Sequence, residues 1–215
     1  PLYTQWQQGK FKPITTAEAA EVISEFKRFV PKWCRIMRVN RDIPTYVTSA
    51  GIDRTNLRQY VQQWQQQKGI VCNCIRCREI GRKGWSGKSE ITVTEYEGSG
   101  GKEFFMAADD PVNDAIIGFC RMRFPLQQLR SEITPTTAII RELHVYATAV
   151  AIGNEPDEKS KLQHRGFGRK LMAAAEEIAK KNGMDKMLVI SGVGAKEYYR
   201  KLGYVYDGPY MGKKL

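Results

Sequence analysis

Gln163-His164-Arg165-Gly166-Phe167-Gly168-Arg169, running on into Lys170-Leu171-Met172-Ala173-Ala174-Ala175, is the stretch that decides the fold. Two glycines ahead of an alanine-rich amphipathic run let backbone approach a ligand. They also leave N–H groups free at a helix start, where a diphosphate can sit. The stretch is not a G-x-G-x-x-G dinucleotide fingerprint, and it lacks the Lys and Ser/Thr of a P-loop. A coenzyme that carries a pyrophosphate is the ligand class left, against the plain alternative of a turn or helix cap.

Downstream, the spacing predicts a helix over 166–181 with Leu171, Ala174/Ala175 and Ile178 inward and Glu176 able to pair with Lys180. Asn182-Gly183 closes it with a left-handed cap. Residues 187–190 read as a buried strand, 191–194 as a permissive turn, and 195–202 as a short helix carrying Tyr198 and Tyr199. Neighbouring helix positions point about 100° apart, so only one of the two tyrosines can aim at a bound ligand. Upstream, alternation predicts strands around Ile91 and Val93, then over 103–107, 116–124 and 138–146, with Pro125 ending the third. Three antiparallel strands and a long fourth ahead of a ligand-binding helix give an α/β (α+β) class, a mixed central sheet flanked by helices. Period two puts Glu142 and His144 on one face of the fourth strand and turns Leu143 and Val145 into the core. A histidine there is either structural or, beside a cofactor loop, a group that orients water or substrate.

The first part of the chain differs in charge. Residues 1–88 hold sixteen Lys/Arg against six Asp/Glu and residues 89–215 eighteen against seventeen, so nearly all of the net +11 lies at one end. Such an asymmetry points to a polyanion, nucleic acid first, with an acidic protein or anionic lipid as alternatives. Thr15 or Thr16 caps a helix with apolar positions Ala19, Val22, Ile23, Phe26, Phe29 and Val30, residues 33–39 read as a short strand, and 53–67 as a second helix with Leu57, Tyr60, Val61 and Trp64 on one face.

Cys72-x-Cys74-x-x-Cys77 brings three thiols within one short turn, tight enough to share a soft tetrahedral ion. Zinc fits, against three reduced buried cysteines. The fourth ligand is not local, and Cys34, a residue elsewhere or solvent would each serve. Arg76, Arg78, Arg82, Lys83 and Trp85 interleave basic charge with an aromatic that can stack on a base, or Trp85 seals an interface. Five cysteines without a disulfide pattern fit a reduced, cytoplasmic setting, and no apolar run reaches membrane-spanning length.

The spacing Gln163-x-x-Gly166-x-Gly168 resembles the acyl-coenzyme A loop of the GCN5-related N-acetyltransferases. Glu142-Leu143-His144-Val145-Tyr146, the glycine loop, Ile190-Ser191-Gly192-Val193-Gly194, Tyr198-Tyr199-Arg200-Lys201-Leu202-Gly203-Tyr204 and Gly208-Pro209-Tyr210-Met211 resemble, in order, the family of Elongator catalytic subunits of archaeal or bacterial type. The matched blocks cover nearly all 215 residues. One departure is Ala147, where the family has glycine after His-Val-Tyr.

The resemblance implies three segments: the end of a radical S-adenosylmethionine barrel over 1–50, a basic zinc linker over 51–88 and a GCN5-like acetyltransferase domain over 89–215. It implies tRNA, through its anticodon stem-loop region, and acetyl-CoA as partners, and a 4Fe–4S cluster and S-adenosylmethionine only in the full-length protein. Carried over residue by residue, it implies His144, Tyr198 and Glu142 for catalysis. Leu143, Val145, Tyr146, Gln163, His164, Arg165, Gly166, Phe167, Gly168 and Arg169 would contact the coenzyme, Tyr199 would meet the coenzyme or the core, and Cys72, Cys74 and Cys77 stay the metal ligands that their spacing suggests. The implied activity is acetyl-CoA cleavage that feeds radical carboxymethylation of the wobble uridine. The rivals are a protein-lysine or small-amine acetyltransferase and a non-enzymatic RNA-binding module on a degenerate acyl fold. Self-association and other Elongator-like subunits stay open.

Overall fold

Alternating side chains from residue 90 onward fold into an antiparallel meander. Its strands are β1 (Glu90–Gly98), β2 (Gly101–Asp110), β3 (Ala115–Phe124) and β4 (Thr137–Val145). β2 and β3 are buried along almost their whole length, because they lie at the middle of the sheet with partners on both edges. After β4 come α6 (Phe167–Lys181), β5 (Lys186–Val189), α7 (Lys196–Arg200), β6 (Val205–Asp207) and β7 (Tyr210–Lys214). The seven strands run in the order β1-β2-β3-β4-β5-β7-β6, and β4 with β5 is the parallel pair. A mixed sheet with a crossover helix is the GCN5-related arrangement expected from the sequence.

The computed structural model describes residues 1–39, 44–146 and 166–215, and it falls into two units, Pro1–Cys77 and Arg78–Leu215. The border lies inside the segment read above as a linker. The second unit holds the larger core, in which Leu171, Met172, Ala175 and Ala179 of α6 pack on Met106, Cys120, Ile140 and Val189 of the sheet. In the first unit, α1 (Leu2–Gln7), α2 (Thr16–Arg28) and α3 (Leu57–Gln67) precede α4 (Ile75–Arg78), and α5 (Ile80–Lys83) follows in the second. Thr15 caps α2 in a full capping box with Glu18, whose carboxyl is held down to about 2 by the Thr15 N–H, the Thr15 hydroxyl and Lys12. The small cluster between α2 and α3 is Ala20, Leu57 and Val61.

Four local expectations are corrected. The inward face of α2 is Ala19, Ala20, Ser24 and Lys27, while Val22, Phe26 and Phe29 are exposed. Alanine and serine let α3 approach closely, so the helix turns its larger apolar residues outward. Residues 33–39 contain no strand, and α3 begins at Leu57 rather than near Asp53. Glu176 pairs with Lys213 at 2.8 Å and accepts from the Tyr204 hydroxyl, while Lys181 pairs with Glu177. No helix among the described residues is long and apolar enough to cross a membrane.

Candidate functional site

The parallel β4–β5 ladder stops early. Its last register pair is Ile140 with Val189, closed by the Ile190 N–H donating to the Ile140 carbonyl at 3.0 Å. β4 continues to Val145 beside β3 alone, so a cleft opens along one edge of its last residues. A bulge starts the opening. Arg121 faces Glu142 but Met122 faces Ile140, which leaves Arg141 as the extra residue and re-aims the strand. The Tyr146 N–H donates to the Ile117 carbonyl at 2.8 Å. By alternation the Leu143 and Val145 N–H groups point the other way, toward the edge that β5 has left.

Across the cleft stands the start of α6. Gly166 caps it at φ 75°, a left-handed angle that favours glycine, and the first intrahelical bond runs from the Lys170 N–H to the Gly166 carbonyl at 3.0 Å. The N–H groups of Phe167, Gly168 and Arg169 precede that bond, and the buried Phe167 ring fixes their direction. A Cβ built on Gly168 would lie 2.7 Å from the Tyr198 hydroxyl and 3.7 Å from Val145 Cγ2. Three residues from three elements therefore meet at one point, and glycine is what leaves room for the phenol.

The structure also separates the two tyrosines. Tyr198 is 38% exposed, and burial raises its phenol above the ordinary value, with Arg169 pulling the other way. Tyr199 is 6% exposed and packs in the core with its ring centroid 6.1 Å from that of Tyr204, and burial pushes its phenol up to about 12. The Tyr199 side chain belongs to the core, the second of the two places weighed for it.

Glu142 and His144 share a face as expected, and that face is opposite the core-packed Leu143 and Val145. Arg121 Nε donates to Glu142 at 3.0 Å while its guanidinium lies 5.1 Å and 5.3 Å from the Phe105 and Phe119 ring centroids. His144 lies 5.9 Å from Phe119 and 4.4 Å from Tyr146, centroid to centroid. Glu142 is thus paired with Arg121, whereas His144 is exposed on an aromatic shelf. Gln163, His164, Arg165 and Ala147 lie outside the described residues.

In the first unit the sulfurs of Cys72, Cys74 and Cys77 lie within 4.8 Å of one another. Hydrogen bonding from Cys72 and Cys77 draws the Cys74 thiol down to about 2, and sharing with Cys74 pushes Cys72 far up. The edge of a zinc–thiolate tetrahedron, with bonds of about 2.3 Å, is about 3.8 Å, so three such ligands need little movement to close on one ion. The cluster among the described residues has three members, and Cys34, weighed as a fourth, is not in it.

The basic strip is not uniform. Arg78 is 2% exposed, donating to Asp109 at 2.8 Å and to Asp114 at 3.2 Å, so it is an internal ion-pair residue and not an RNA contact. Arg82 and Lys83 are exposed, and Trp85 packs against the sheet core while its N–H donates to the Lys88 carbonyl at 3.2 Å. Sequence reasoning missed Arg121 and also Lys27, buried on the inward face of α2. The signal for Lys27 was its place three residues after Ser24 on the small-residue face of α2.

Residues 72–204 match the acetyltransferase (GNAT) family, and residues 1–66 match the radical SAM C-terminal domain. The chain belongs to the acetyltransferase (GNAT) family. Over its whole length it is 45% identical to a tRNA uridine(34) acetyltransferase of Methanocaldococcus infernus, of which it covers 41%. It is 38% identical to the human Elongator complex protein 3, of which it covers 40%. The solved structure of archaeal Methanocaldococcus infernus Elp3 with an N-terminal deletion matches with a TM-score of 0.89 and 44% identity, covering 100% of this chain and 52% of that one. This GNAT chain therefore spans about two fifths of the length of its curated relatives.

Proposed function

We propose that this chain is the acetyl-CoA-binding part of a cytoplasmic tRNA uridine(34) acetyltransferase. The observation that carries the reading is the meeting of the Tyr198 hydroxyl, Gly168 and Val145 at the mouth of the β4–β5 cleft. The free N–H groups at the start of α6 suit the pyrophosphate, and those of Leu143 and Val145 suit the pantetheine amides and the thioester carbonyl. Gln163, His164 and Arg165 complete the loop on sequence grounds. A phenol is protonated at neutral pH and burial raises that of Tyr198 further, so it can give its proton to the coenzyme thiolate as the C–S bond breaks. His144 orients the acceptor or water, and Glu142, held by Arg121, stands on the same face of β4.

Cys72, Cys74 and Cys77 hold zinc as a structural centre in this reading. The spacing Cys-x-x-x-Cys-x-x-Cys, which a 4Fe–4S cluster and S-adenosylmethionine need, does not occur in the sequence, so those groups belong to a barrel outside it and no step here runs through them. The segment matching the radical SAM C-terminal domain and the exposed Arg82 and Lys83 support tRNA as the partner. The alternative, a protein acetyltransferase, leaves the excess charge of residues 1–88 without a role.

The test is thiol release from acetyl-CoA with and without tRNA. Release that needs tRNA, and that falls in Tyr198→Phe and His144→Ala, is the expected result. Release indifferent to tRNA but stimulated by a lysine-bearing peptide overturns the reading in favour of the protein acetyltransferase.

A further inference from the structure

A buried hydroxyl ties the helix that carries Tyr198 to the helix that carries Gly168. Tyr204 is 1% exposed, and its hydroxyl donates to Glu176 Oε1 at 2.8 Å and lies 3.1 Å from the Met187 sulfur. Burial first, and the charge of Glu176 next, push this phenol far above its ordinary range, so the hydroxyl keeps its proton and is the donor. Lys213 Nζ donates to both Glu176 oxygens, at 2.9 and 2.8 Å, and stands 5.4 Å from the centroid of the Tyr204 ring. A phenylalanine would fill the same place in the core with no polar group to satisfy, so filling the core does not account for the hydroxyl.

The bond joins the two elements that meet at the cleft. Glu176 lies about two turns beyond Gly168 in the fifteen residues of α6, so the two move as parts of one stiff element. On the other side, the Tyr204 N–H donates to the Tyr199 carbonyl at 3.1 Å and the Gly203 N–H to the Arg200 carbonyl at 2.9 Å, which fixes the Tyr204 backbone to the end of α7. The Tyr199 ring stands edge-on to both neighbours, 5.2 Å from Tyr198 and 6.1 Å from Tyr204, centroid to centroid. Gly168, Glu176, Tyr204, Tyr199 and Tyr198 thus form a closed loop, because a Cβ on Gly168 would lie 2.7 Å from the Tyr198 hydroxyl. Packing of the rings is non-directional, and the bond from Tyr204 to Glu176 supplies the direction.

We propose that Tyr204 is a positioning residue for Tyr198, and that through its bond to Glu176 it holds the Tyr198 hydroxyl at Gly168. The inference rests on the reading of Tyr198 as the proton donor to the coenzyme thiolate. Tyr204 acts through Tyr198, and Lys213 keeps the Glu176 carboxyl turned toward the phenol. A role in packing alone predicts a different pattern. Loss of the hydroxyl would then lower the melting transition and thiol release together, and its effect would add to that of losing the Tyr198 hydroxyl.

The experiment uses the full chain and compares Tyr204→Phe with the parent. The variant leaves Glu176 on Lys213, so acetyl-CoA affinity by calorimetry should stay close to the parent's while tRNA-dependent thiol release falls about 10-fold. In the coenzyme-free chain, the nuclear Overhauser contact between the Tyr198 ring and Gly168 should weaken. Adding Tyr204→Phe to Tyr198→Phe should cost nothing further, because the group it positions is already gone. Glu176→Gln, which keeps an oxygen for the hydroxyl, should retain most of the parent rate, and Glu176→Met takes the place of Tyr204→Phe if that variant fails to fold. Parent-like release, an unchanged Tyr198–Gly168 contact, or losses that multiply in the double variant overturn the inference and leave the Tyr198 reading standing. Parent-like release in Tyr198→Phe overturns the reading on which it rests.

Discussion

The two units of the chain solve the problem of burial differently. Residues 78–215 close a seven-stranded sheet over α6, and their buried charges are paired inside: Arg78 with Asp109 and Asp114, and Glu103 with Arg123 and Arg141. Residues 1–77 hold a small apolar cluster around Ala20, Leu57 and Val61, leave Val22, Phe26, Phe29, Met37 and Tyr46 exposed, and bury Ser24, Lys27, Gln65 and Arg76 atoms that meet no partner among the described residues. The contrast teaches that the second unit pairs most of its buried charges within itself, whereas the first leaves several buried polar atoms for an outside group to meet. The metal and a polyanion are the two agents proposed.

The largest effect should come from opening the internal pairing of the second unit. Arg78→Ala leaves Asp109 uncompensated and should cost about 3–5 kcal/mol of that unit's stability, read as a lowered melting transition of the full chain. If instead tRNA affinity falls and the melt is unchanged, Arg78 is a surface residue and the contrast breaks. Next in size, Tyr198→Phe should lower tRNA-dependent thiol release about 10²-fold with both melting transitions unmoved. Gly168→Val should give a similar loss, because its side chain would occupy the place of the Tyr198 hydroxyl.

Arg82→Ala with Lys83→Ala should leave acetyl-CoA binding intact and reduce the slope of log affinity for tRNA against log salt by up to about 2, and an unchanged slope removes both residues from the interface. The smallest effect is local. Thr15→Ala removes the cap of α2 and should cost about 1 kcal/mol, confined to the first unit. Alkaline titration probes the other side of the comparison. The Tyr199 phenol is raised to about 12, so the folded state holds its proton while the unfolded state ionises near 10. Stability of the second unit should therefore be flat below about pH 10 and fall as pH rises from about 10 to 12. A melt of the second unit that does not change over that range would mean the ring is not buried.

How much was legible in the sequence follows the same division. In the second unit the period-two pattern of residues 91–124 and the helical pattern after Gly166 located every long element to within a few residues, because a large core enforces the period. The glycine pair also marked the start of α6, and it did so through backbone freedom, which a sequence records directly as glycine. What the sequence could not say was which of Tyr198 and Tyr199 faces the cleft, since both fit a five-residue helix and only packing on Tyr204 chooses. Arg78 was misread for a related reason: arginine is counted as surface by default, and its carboxylates lie more than thirty residues away in β2 and the turn after it. In the first unit α2 was located, but its buried face was not, because the small residues facing α3 carry less apolar weight than the exposed phenylalanines.

The parallel pairing of β4 with β5 carries a kinetic consequence. β1 to β4 are joined by turns and can zip sequentially from local contacts, whereas Thr137 meets Lys186 only after the chain has traversed α6 and all that precedes it. High contact order makes that closure slow. The cleft is therefore expected to close after the β1–β4 meander has formed. A coenzyme that bridges β4 and the start of α6 would act on unfolding rates more than on folding rates, because its contacts are absent from the early nucleus.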